Sequence, residues 1–305
     1  MMKKKFTLLF GTILLLLLSA CGQNAANEAK STNEEKVADK ETRIASLSIH
    51  LTNDLLALGI KPVGSVVGGE LKDFLPHVKA QLKDTKQLGP AKDPDMEALL
   101  ELSPSVIYLD KEFGDQDLSK YEKIASTKVF NLDEGTWRDH LRSIGKLVNR
   151  EEKAEQFIAD YENQVKEVRT LIKNKLGEDS KVMAIRVTAK ELRVFSTKRP
   201  MGPILFEDLG LKPANGIEEL DSNQPYEVIS QEVLPDFDAD AIFVVVNSDD
   251  EAQTAFNQLQ ESPIWKGLKA VKGNHVYVIP DQPWLDYSAL GNKMAMDEAK
   301  EIFSK

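Results

Sequence analysis

The chain has 305 residues, of which 42% are hydrophobic and 29% are charged. At about 150 residues per domain, this length predicts about two globular domains with substantial cores. The 49 acidic residues outnumber the 39 basic ones, and the net charge of −10 argues against nucleic acid as a partner.

The amino terminus has the pattern of a bacterial export signal. Lysines at positions 3–5 precede an apolar run over residues 6–18, which is shorter than the roughly 20 residues of a permanent membrane helix. The sequence Leu-Ser-Ala-Cys over residues 18–21 then matches a lipobox. We therefore expect a signal peptide over residues 1–20 and a lipid anchor on Cys21, the only cysteine, which also excludes an internal disulfide.

The composition changes again after the lipobox. Residues 21–42 are almost entirely small, polar or charged, which predicts a flexible tether. Strand and helix patterns then alternate, as in an α/β fold. We expect one α/β lobe over residues 43–148 and a second over residues 178–305. A short apolar strand is predicted at the start of the first lobe, with Ile44, Ala45 and Leu47. The other predicted strands are Pro62–Val67, Val106–Leu109, Val129–Leu132, Lys181–Val187, Leu192–Ser196 as a hairpin return, Ala241–Val246 and His275–Ile279.

A long helix is predicted between the two lobes. Residues 150–176 carry apolar side chains at spacings of three and four, which define one helix face. Asn149 is the predicted N-cap, and Gly177 stands where a helix commonly ends. A connecting helix over residues 149–177 would be about 40 Å long, enough to reach from one lobe to the other.

The second lobe partly repeats the first. The segment Met96–Leu109 aligns without a gap on Gln231–Val244, at an offset of 135 residues, and Glu97 falls on Glu232. Each segment predicts a short helix followed by a buried strand. Two similar lobes flanking one helix are therefore expected.

Motifs of common enzymes are absent from the sequence. There is no G-x-S-x-G or H-E-x-x-H, and Glu70 occupies the lysine position of a phosphate-loop glycine spacing. Four scattered histidines show no metal-ligand spacing. We expect no enzyme activity, no cofactor and no protein-bound metal ion. Three of these histidines, His77, His140 and His275, are expected to be ordinary surface or loop residues, whereas His50 follows the first strand, where α/β proteins place ligand loops.

The whole mature chain resembles the substrate-binding lipoproteins of bacterial ABC importers for ferric siderophores and vitamin B12. The most specific phrases are DMEALL at residues 95–100, PSVI at 104–107 and ISQE at 229–232. Residues 199–211 and 262–272 add further similarity. The pattern is most similar to that of the hydroxamate-siderophore binders.

This resemblance implies two Rossmann-like α/β lobes joined by one long helix, with the ligand in a cleft between them and only small closure. The cargo would be a finished ferric siderophore complex, so the protein supplies aromatic walls and cationic donors instead of metal ligands. A monomer anchored at the extracytoplasmic face of the membrane, at a Gram-positive cell surface, would pass it to ABC permease subunits. Haem, cobalamin, ferric citrate and a ferric catecholate remain alternative cargoes, and a surface enzyme is a third reading that no motif favours.

The resemblance also implies the ligand contacts. Arg199 would donate to the oxygens around iron, unless it is a solvated loop arginine. Trp284 and Tyr287, on a Pro-bounded loop, and Tyr226, on another loop, would form aromatic walls unless they pack on their own lobe. Arg186 either ends its strand at the cleft or pairs with a buried acid. The candidates in the first lobe are His50, Thr52, Lys92 and Tyr108.

Two glutamates would bind the permease. In the resembling family one such residue per lobe docks on arginines of a transmembrane subunit, and Glu97 and Glu232 occupy these positions. The alternative is that each merely stabilises the first turn of its helix through the helix dipole.

Overall fold

The structure is a computed structural model that describes residues 42–68, 72–114, 118–220 and 224–305. The predicted signal peptide, Cys21 and all but the last residue of the tether lie outside these residues. Within the described part of the chain, no helix is long and apolar enough to cross a membrane.

The first lobe is built on a parallel sheet of five strands. They are β1 (Ile44–Leu47), β2 (Gly64–Val67), β3 (Lys86–Pro90), β4 (Val106–Asp110) and β5 (Ser126–Phe130). Their order is β3-β2-β1-β4-β5, and every pairing is parallel. The chain therefore winds outwards in both directions from β1 and β4. Open α/β sheets bind ligands at the carboxyl ends of such a pair, which places a crevice there.

Helices cover this sheet. They are α1 (Ile49–Ala57), a 3₁₀ turn (Lys79–Leu82), α2 (Met96–Glu101), α3 (Lys111–Gly114), α4 (Leu118–Glu122) and α5 (Trp137–Leu147). A capping box opens α5, because the Thr136 hydroxyl accepts from the Asp139 N–H and the Asp139 carboxylate accepts from the Thr136 N–H. This start fixes Trp137 and Arg138, the first two residues of the helix, beside the crevice.

The predicted long helix is confirmed as α6 (Glu151–Leu176), a 26-residue helix about 39 Å long. Its buried residues lie on the predicted face, and it ends at Gly177 with a φ of +95°. The predicted N-cap is wrong: Asn149 adopts a left-handed φ of +53°, and Arg150 takes the N-cap position without a side-chain bond. Asparagine tolerates this conformation better than most residues, so Asn149 serves the turn between α5 and α6 instead.

The second lobe contains a mixed six-stranded sheet. Its strands are β6 (Lys181–Val187), β7 (Leu192–Phe195), β8 (Lys212–Pro213), β9 (Tyr226–Ile229), β10 (Ala241–Val246) and β11 (Val276–Ile279). Five of them run in the order β11-β10-β6-β7-β9, and β8 pairs with the start of β6. The β6 and β7 strands pair antiparallel, which confirms the predicted hairpin return.

The remaining helices follow the strands of this sheet. They are a π-helix (Pro203–Asp208), a 3₁₀ helix (Gln231–Phe237), α7 (Asp250–Glu261), α8 (Pro263–Gly267), α9 (Lys269–Lys272), α10 (Asp281–Trp284) and α11 (Ala289–Phe303). The internal repeat is visible in these bounds. The α2 helix and the later 3₁₀ helix begin at Met96 and Gln231, and β4 and β10 begin at Val106 and Ala241, both at the predicted offset of 135.

One apolar core runs through both lobes. It joins buried residues of α1, α5, α6, β10 and α11 in a single cluster. The α6 helix packs against α5 and α11, and α11 also packs against α1. Separating the lobes would expose this shared surface to water, so the hydrophobic effect opposes their separation.

Candidate functional site

A cleft of about 810 Å³ lies between the lobes. The first lobe lines it with residues that follow β4 and β5 and with the start of α5, at the carboxyl edge of its sheet. The second lobe contributes residues around 197–207, residues 224 and 225, and Tyr287. This volume lies within the range of about 300–1,000 Å³ that is usual for small-ligand sites.

The segment after β7 carries Arg199 into this cleft. Gly202 closes the turn by donating its N–H to the Lys198 carbonyl at 3.0 Å. A Cβ at Gly202 would lie 2.1 Å from the Thr197 backbone, so only glycine fits there. Met201 is fully buried and anchors the turn to the core. A phrase that adds to the family resemblance, residues 199–211, therefore shapes this wall of the cleft.

Arg199 connects the two lobes across the cleft. Its guanidinium forms an ion pair with Asp133, which follows β5 in the first lobe. The Arg199 Cζ also lies over the Tyr287 ring, 4.1 Å from its centroid. Both partners line the cleft, so the guanidinium is held at its edge by a carboxylate and an aromatic face.

Tyr287 is half-buried between the lobes. The His50 ring stacks on it, with centroids 3.5 Å apart and an interplanar angle of 26°. Burial raises the pKa of the Tyr287 phenol, which therefore stays protonated as a hydrogen-bond donor. His50 is the second residue of α1, close to the end of β1, where the sheet predicts the crevice. Its ring stacks on Tyr287 and does not line the cleft.

Two histidines from the first lobe meet one buried aspartate from the second. His50 Nδ1 lies 3.0 Å from Asp286 Oδ1, and His77 Nε2 lies 3.0 Å from Asp286 Oδ2. His77 lies in a turn, but the prediction of an ordinary surface position is wrong, since only 6% of its side chain is exposed. Residues this far apart in the chain share no sequence spacing, and no motif indicated Asp286.

A second buried polar contact joins the lobes near α6. Arg138 donates to Asp208 at 2.8 Å, and the Tyr161 hydroxyl donates to the same carboxylate at 2.6 Å. Arg138 also lies 4.5 Å from the centroid of the Trp137 ring. Trp137 and Arg138 both line the cleft, so this contact fixes an aromatic and a cationic wall that no sequence motif indicated.

Three predicted ligand contacts lie in the core instead. Trp284 is fully buried, packs on Phe243 and donates its Nε1–H to Glu298 at 2.8 Å. The prediction of Trp284 as an exposed aromatic on a ligand loop is therefore wrong. Tyr108 is 2% exposed, and burial raises its pKa to about 12. Thr52 is buried and its hydroxyl lies 2.6 Å from that of Ser65. None of the three lines the cleft.

Three further candidates are accessible but lie outside the cleft lining. Tyr226 belongs to β9 rather than to a loop, and the Arg193 guanidinium lies 4.3 Å from its ring centroid. Arg186 donates to the Asn247 side chain at 2.8 Å. Lys92 is exposed in the loop after β3.

The cleft has balanced charge. Its lining contains three basic residues, Arg138, Lys198 and Arg199, and three acidic residues, Glu112, Asp133 and Glu207. Two of the cations are already paired, Arg138 with Asp208 and Arg199 with Asp133. In the described part of the chain, no group of three or more His, Cys, Asp or Glu side chains is arranged to hold a metal ion. The site is therefore suited to a ligand of low net charge.

Glu97 and Glu232 are both exposed, each at the second position of its helix. Asp95 already caps α2 by accepting from the Ala98 N–H at 2.9 Å, so Glu97 is not needed as a cap. A hydrogen bond from its own backbone N–H lowers the pKa of Glu232, and the Ser230 side chain adds to this. Exposed apolar residues lie beside them, Leu100 in α2 and Val233 in the 3₁₀ helix.

Comparisons with known proteins agree with this architecture. A family model described as periplasmic binding protein matches residues 44–283. An iron-uptake system-binding protein of Bacillus subtilis is 30% identical over 298 residues, which cover 91% of each chain. The probable siderophore-binding lipoprotein YfiY of the same bacterium is 30% identical over an alignment of 335 residues that covers 100% of this chain and 99% of YfiY. Staphylococcus aureus SirA, solved with staphyloferrin B, has a TM-score of 0.76 at 26% identity and is matched over 88% of this chain and 95% of SirA.

Proposed function

Because the chain belongs to the periplasmic binding protein family, we propose that it captures a ferric siderophore between its lobes and delivers it to the permease of an ABC importer. Two relatives support this cargo, since YfiY is named a probable siderophore-binding lipoprotein and SirA was solved with staphyloferrin B. The cleft volume also supports it. The chain acts as a receptor and not as an enzyme.

The cargo is a hydroxamate-type complex, and the balanced charge of the cleft is the observation that carries this choice. A ferric trihydroxamate is electrically neutral, whereas a ferric tris-catecholate is trianionic. The trianion would need an excess of unpaired cations, but the acidic and basic lining residues are equal in number. Lys198 is the one basic lining residue for which the described structure shows no acidic partner.

Arg199 and Tyr287 are the proposed ligand contacts in the second lobe, and Trp137 is the proposed aromatic contact in the first. Arg199 would exchange Asp133 for the oxygens around iron, so its guanidinium keeps an oxygen acceptor throughout. Trp137 replaces Trp284 in this role, because it lines the cleft.

A titration followed by tryptophan fluorescence tests the cargo. The purified protein is titrated in parallel with a ferric trihydroxamate, a ferric tris-catecholate and ferric citrate. We expect the trihydroxamate to bind most tightly and to quench Trp137, and the Trp137→Phe variant to lose most of that quenching. Arg142→Ala is a matched control, since Arg142 forms an ion pair with Glu155 outside the cleft lining. Tighter binding of the tris-catecholate would contradict the proposed cargo.

The proposed location follows from the amino terminus. Residues 1–20 would direct export, and a lipid on Cys21 would hold the monomer at the extracytoplasmic face of the membrane by way of residues 21–42. The family and the lipoprotein relative support an extracytoplasmic site of action. The lipid also retains a strongly acidic protein at a membrane surface that its charge would otherwise avoid.

Glu97 and Glu232 are the proposed permease contacts. They are exposed at equivalent positions of the internal repeat, one in each lobe, and Glu97 is not required to cap its helix. Leu100 and Val233 would add apolar contact area beside them. Uptake of a radiolabelled ferric siderophore by cells tests this role, with Glu151→Ala as a control for a first-turn glutamate on α6.

A further inference from the structure

Asp286 is a fully buried carboxylate that receives four hydrogen bonds. Its Oδ1 accepts from His50 Nδ1 at 3.0 Å and from the Ser288 backbone N–H at 3.1 Å. Its Oδ2 accepts from His77 Nε2 at 3.0 Å and from Asn53 Nδ2 at 2.6 Å. Three of the four donors belong to the first lobe, so one carboxylate of the second lobe satisfies side chains across the lobe boundary.

The same contacts define the protonation of the cluster. Burial alone would raise the pKa of Asp286, but the hydrogen bonds from His50 and His77 outweigh burial and hold that pKa well below its usual range. An ionised carboxylate can only accept hydrogen bonds. His50 must therefore carry a hydrogen on Nδ1, and this bond fixes both the tautomer and the plane of its ring.

The oriented His50 ring is the surface on which Tyr287 rests. The two rings stack at 3.5 Å, and the Arg199 guanidinium also lies against the Tyr287 ring. Asp286 and Tyr287 are also adjacent in the chain, so the carboxylate fixes the backbone beside Tyr287 as well as the ring beneath it. Asp286 is 0% exposed and His50 is nearly buried, and neither lines the cleft.

We propose that His50 is a positioning residue for the cleft: its ring, seated in a buried site beside Asp286, holds Tyr287 against Arg199 in the geometry that receives the ligand. His50 thus acts through Tyr287 instead of touching the ligand. This inference rests on the proposed ligand contact of Tyr287.

Two substitutions at position 50 separate positioning from general stability. His50→Asn keeps a side-chain N–H near the place of Nδ1 and removes the stacked ring. His50→Phe keeps a ring and leaves Asp286 short of one donor. If His50 only stabilised the fold, the loss of affinity would follow the loss of stability in both variants.

The first measurement observes Tyr287 directly in the ligand-free protein. The chain has six tyrosines, so the protein is labelled with 3-fluorotyrosine, and the ¹⁹F resonance that disappears in Tyr287→Phe belongs to position 287. We expect this resonance to remain displaced in His50→Phe and to move towards that of free fluorotyrosine in His50→Asn. An unchanged resonance in His50→Asn would overturn the positioning role. This readout does not depend on the cargo.

The second measurement compares affinity with stability, using a ferric trihydroxamate as the probe. His50→Asn should weaken binding about threefold to tenfold, and His50→Phe by less than about twofold. The order of stability should be reversed, with His50→Phe lowering Tm by about 4–10 °C and His50→Asn by less than about 3 °C. Affinity that falls in parallel with Tm in both variants would overturn the inference.

A variant at the ligand contact distinguishes this inference from the proposed function. If Tyr287→Ala binds the probe as tightly as the wild type, the proposed ligand contact is wrong. If Tyr287→Ala weakens binding but His50→Asn leaves both the affinity and the resonance unchanged, the positioning role fails and the proposed function stands.

Discussion

Replacing Asp286 with asparagine should destabilise the protein, because one acceptor becomes a donor in a cluster of donors. The Ser288 backbone N–H faces Oδ1 and cannot reverse its polarity, so the new amide nitrogen must take the Oδ2 position, opposite His77 and Asn53. Asn53 can rotate its amide to accept. His77 can accept only by moving its hydrogen to Nδ1, which is buried and has no hydrogen-bond partner in the described structure.

The magnitude follows from these bonds. A hydrogen bond to a charged group contributes about 1.5–3 kcal/mol. The substitution makes the acceptor of all four hydrogen bonds neutral and also breaks one or two of these bonds. We therefore expect the free energy of unfolding of Asp286→Asn to fall by about 2–5 kcal/mol. Proteins are stabilised by only about 5–15 kcal/mol in total, so this loss is large.

Urea unfolding monitored by tryptophan fluorescence at pH 7 measures this difference, and Asp54→Asn is the matched control. Asp54 is also a buried aspartate at the lobe boundary, where it accepts from the Ala289 N–H at 2.7 Å. Burial raises its pKa, so burial disfavours its ionised form, and asparagine keeps the acceptor for the Ala289 N–H. We expect Asp54→Asn to lower the free energy of unfolding by about 1 kcal/mol or less. An equal loss of unfolding free energy in the two variants would refute the reasoning.

The pH dependence of the same unfolding experiment should differ in sign between the two aspartates. The lowered pKa of Asp286 means that its contribution to stability is present above the ordinary value of 3.8 and is lost as the pH falls below it. The raised pKa of Asp54 means the opposite: its contribution is present below 3.8 and is lost as the pH rises through the raised pKa. Asp286→Asn should reduce the loss of unfolding free energy at acidic pH. Asp54→Asn should reduce the loss of unfolding free energy as the pH rises.

Three further predictions concern binding, docking and anchoring. Arg199→Ala should weaken binding of a ferric trihydroxamate about tenfold to a hundredfold in the fluorescence titration. Asp133→Asn frees Arg199 from a largely exposed ion pair and should strengthen binding by no more than about fivefold. Unchanged affinity in both variants would show that the ion pair has no role in binding. Charge reversal of Glu97 and Glu232 to lysine should keep the fold and the ligand affinity but abolish most uptake of a radiolabelled ferric siderophore, and wild-type uptake by the double variant would remove both residues from the docking surface. Cys21→Ala should prevent incorporation of labelled palmitate, and normal labelling would show that the lipid is attached elsewhere.

The features that could be predicted from the sequence depend on local periodicity. The length and the buried face of α6 could be predicted because its apolar spacing repeats over seven turns. The internal repeat likewise identified equivalent helices and strands at an offset of 135 residues. The prediction of Asn149 as the N-cap is wrong because an asparagine before a helix is compatible with both an N-cap and a left-handed turn. Only the packing of α5 on α6 decides between them.

The candidate site was predicted less well because side-chain direction depends on tertiary contacts. Trp284 and Tyr287 lie three residues apart in the same Pro-bounded segment, yet one is fully buried and the other lines the cleft. Which of them faces the ligand is decided by the packing of Trp284 on Phe243. The meeting of His50, His77 and Asp286 spans most of the chain, so no local pattern could indicate it.

The visible absorption spectrum of the protein purified from iron-starved cells tests the central proposal most directly, because the bound cargo is then selected by the protein and not by the experimenter. Hydroxamate, catecholate and haem complexes of iron differ in colour. The balanced charge of the cleft predicts a ferric hydroxamate band that disappears when the complex is displaced. A catecholate or haem spectrum would contradict the proposed cargo, and a colourless protein that also fails to bind added ferric siderophores would contradict the proposed function.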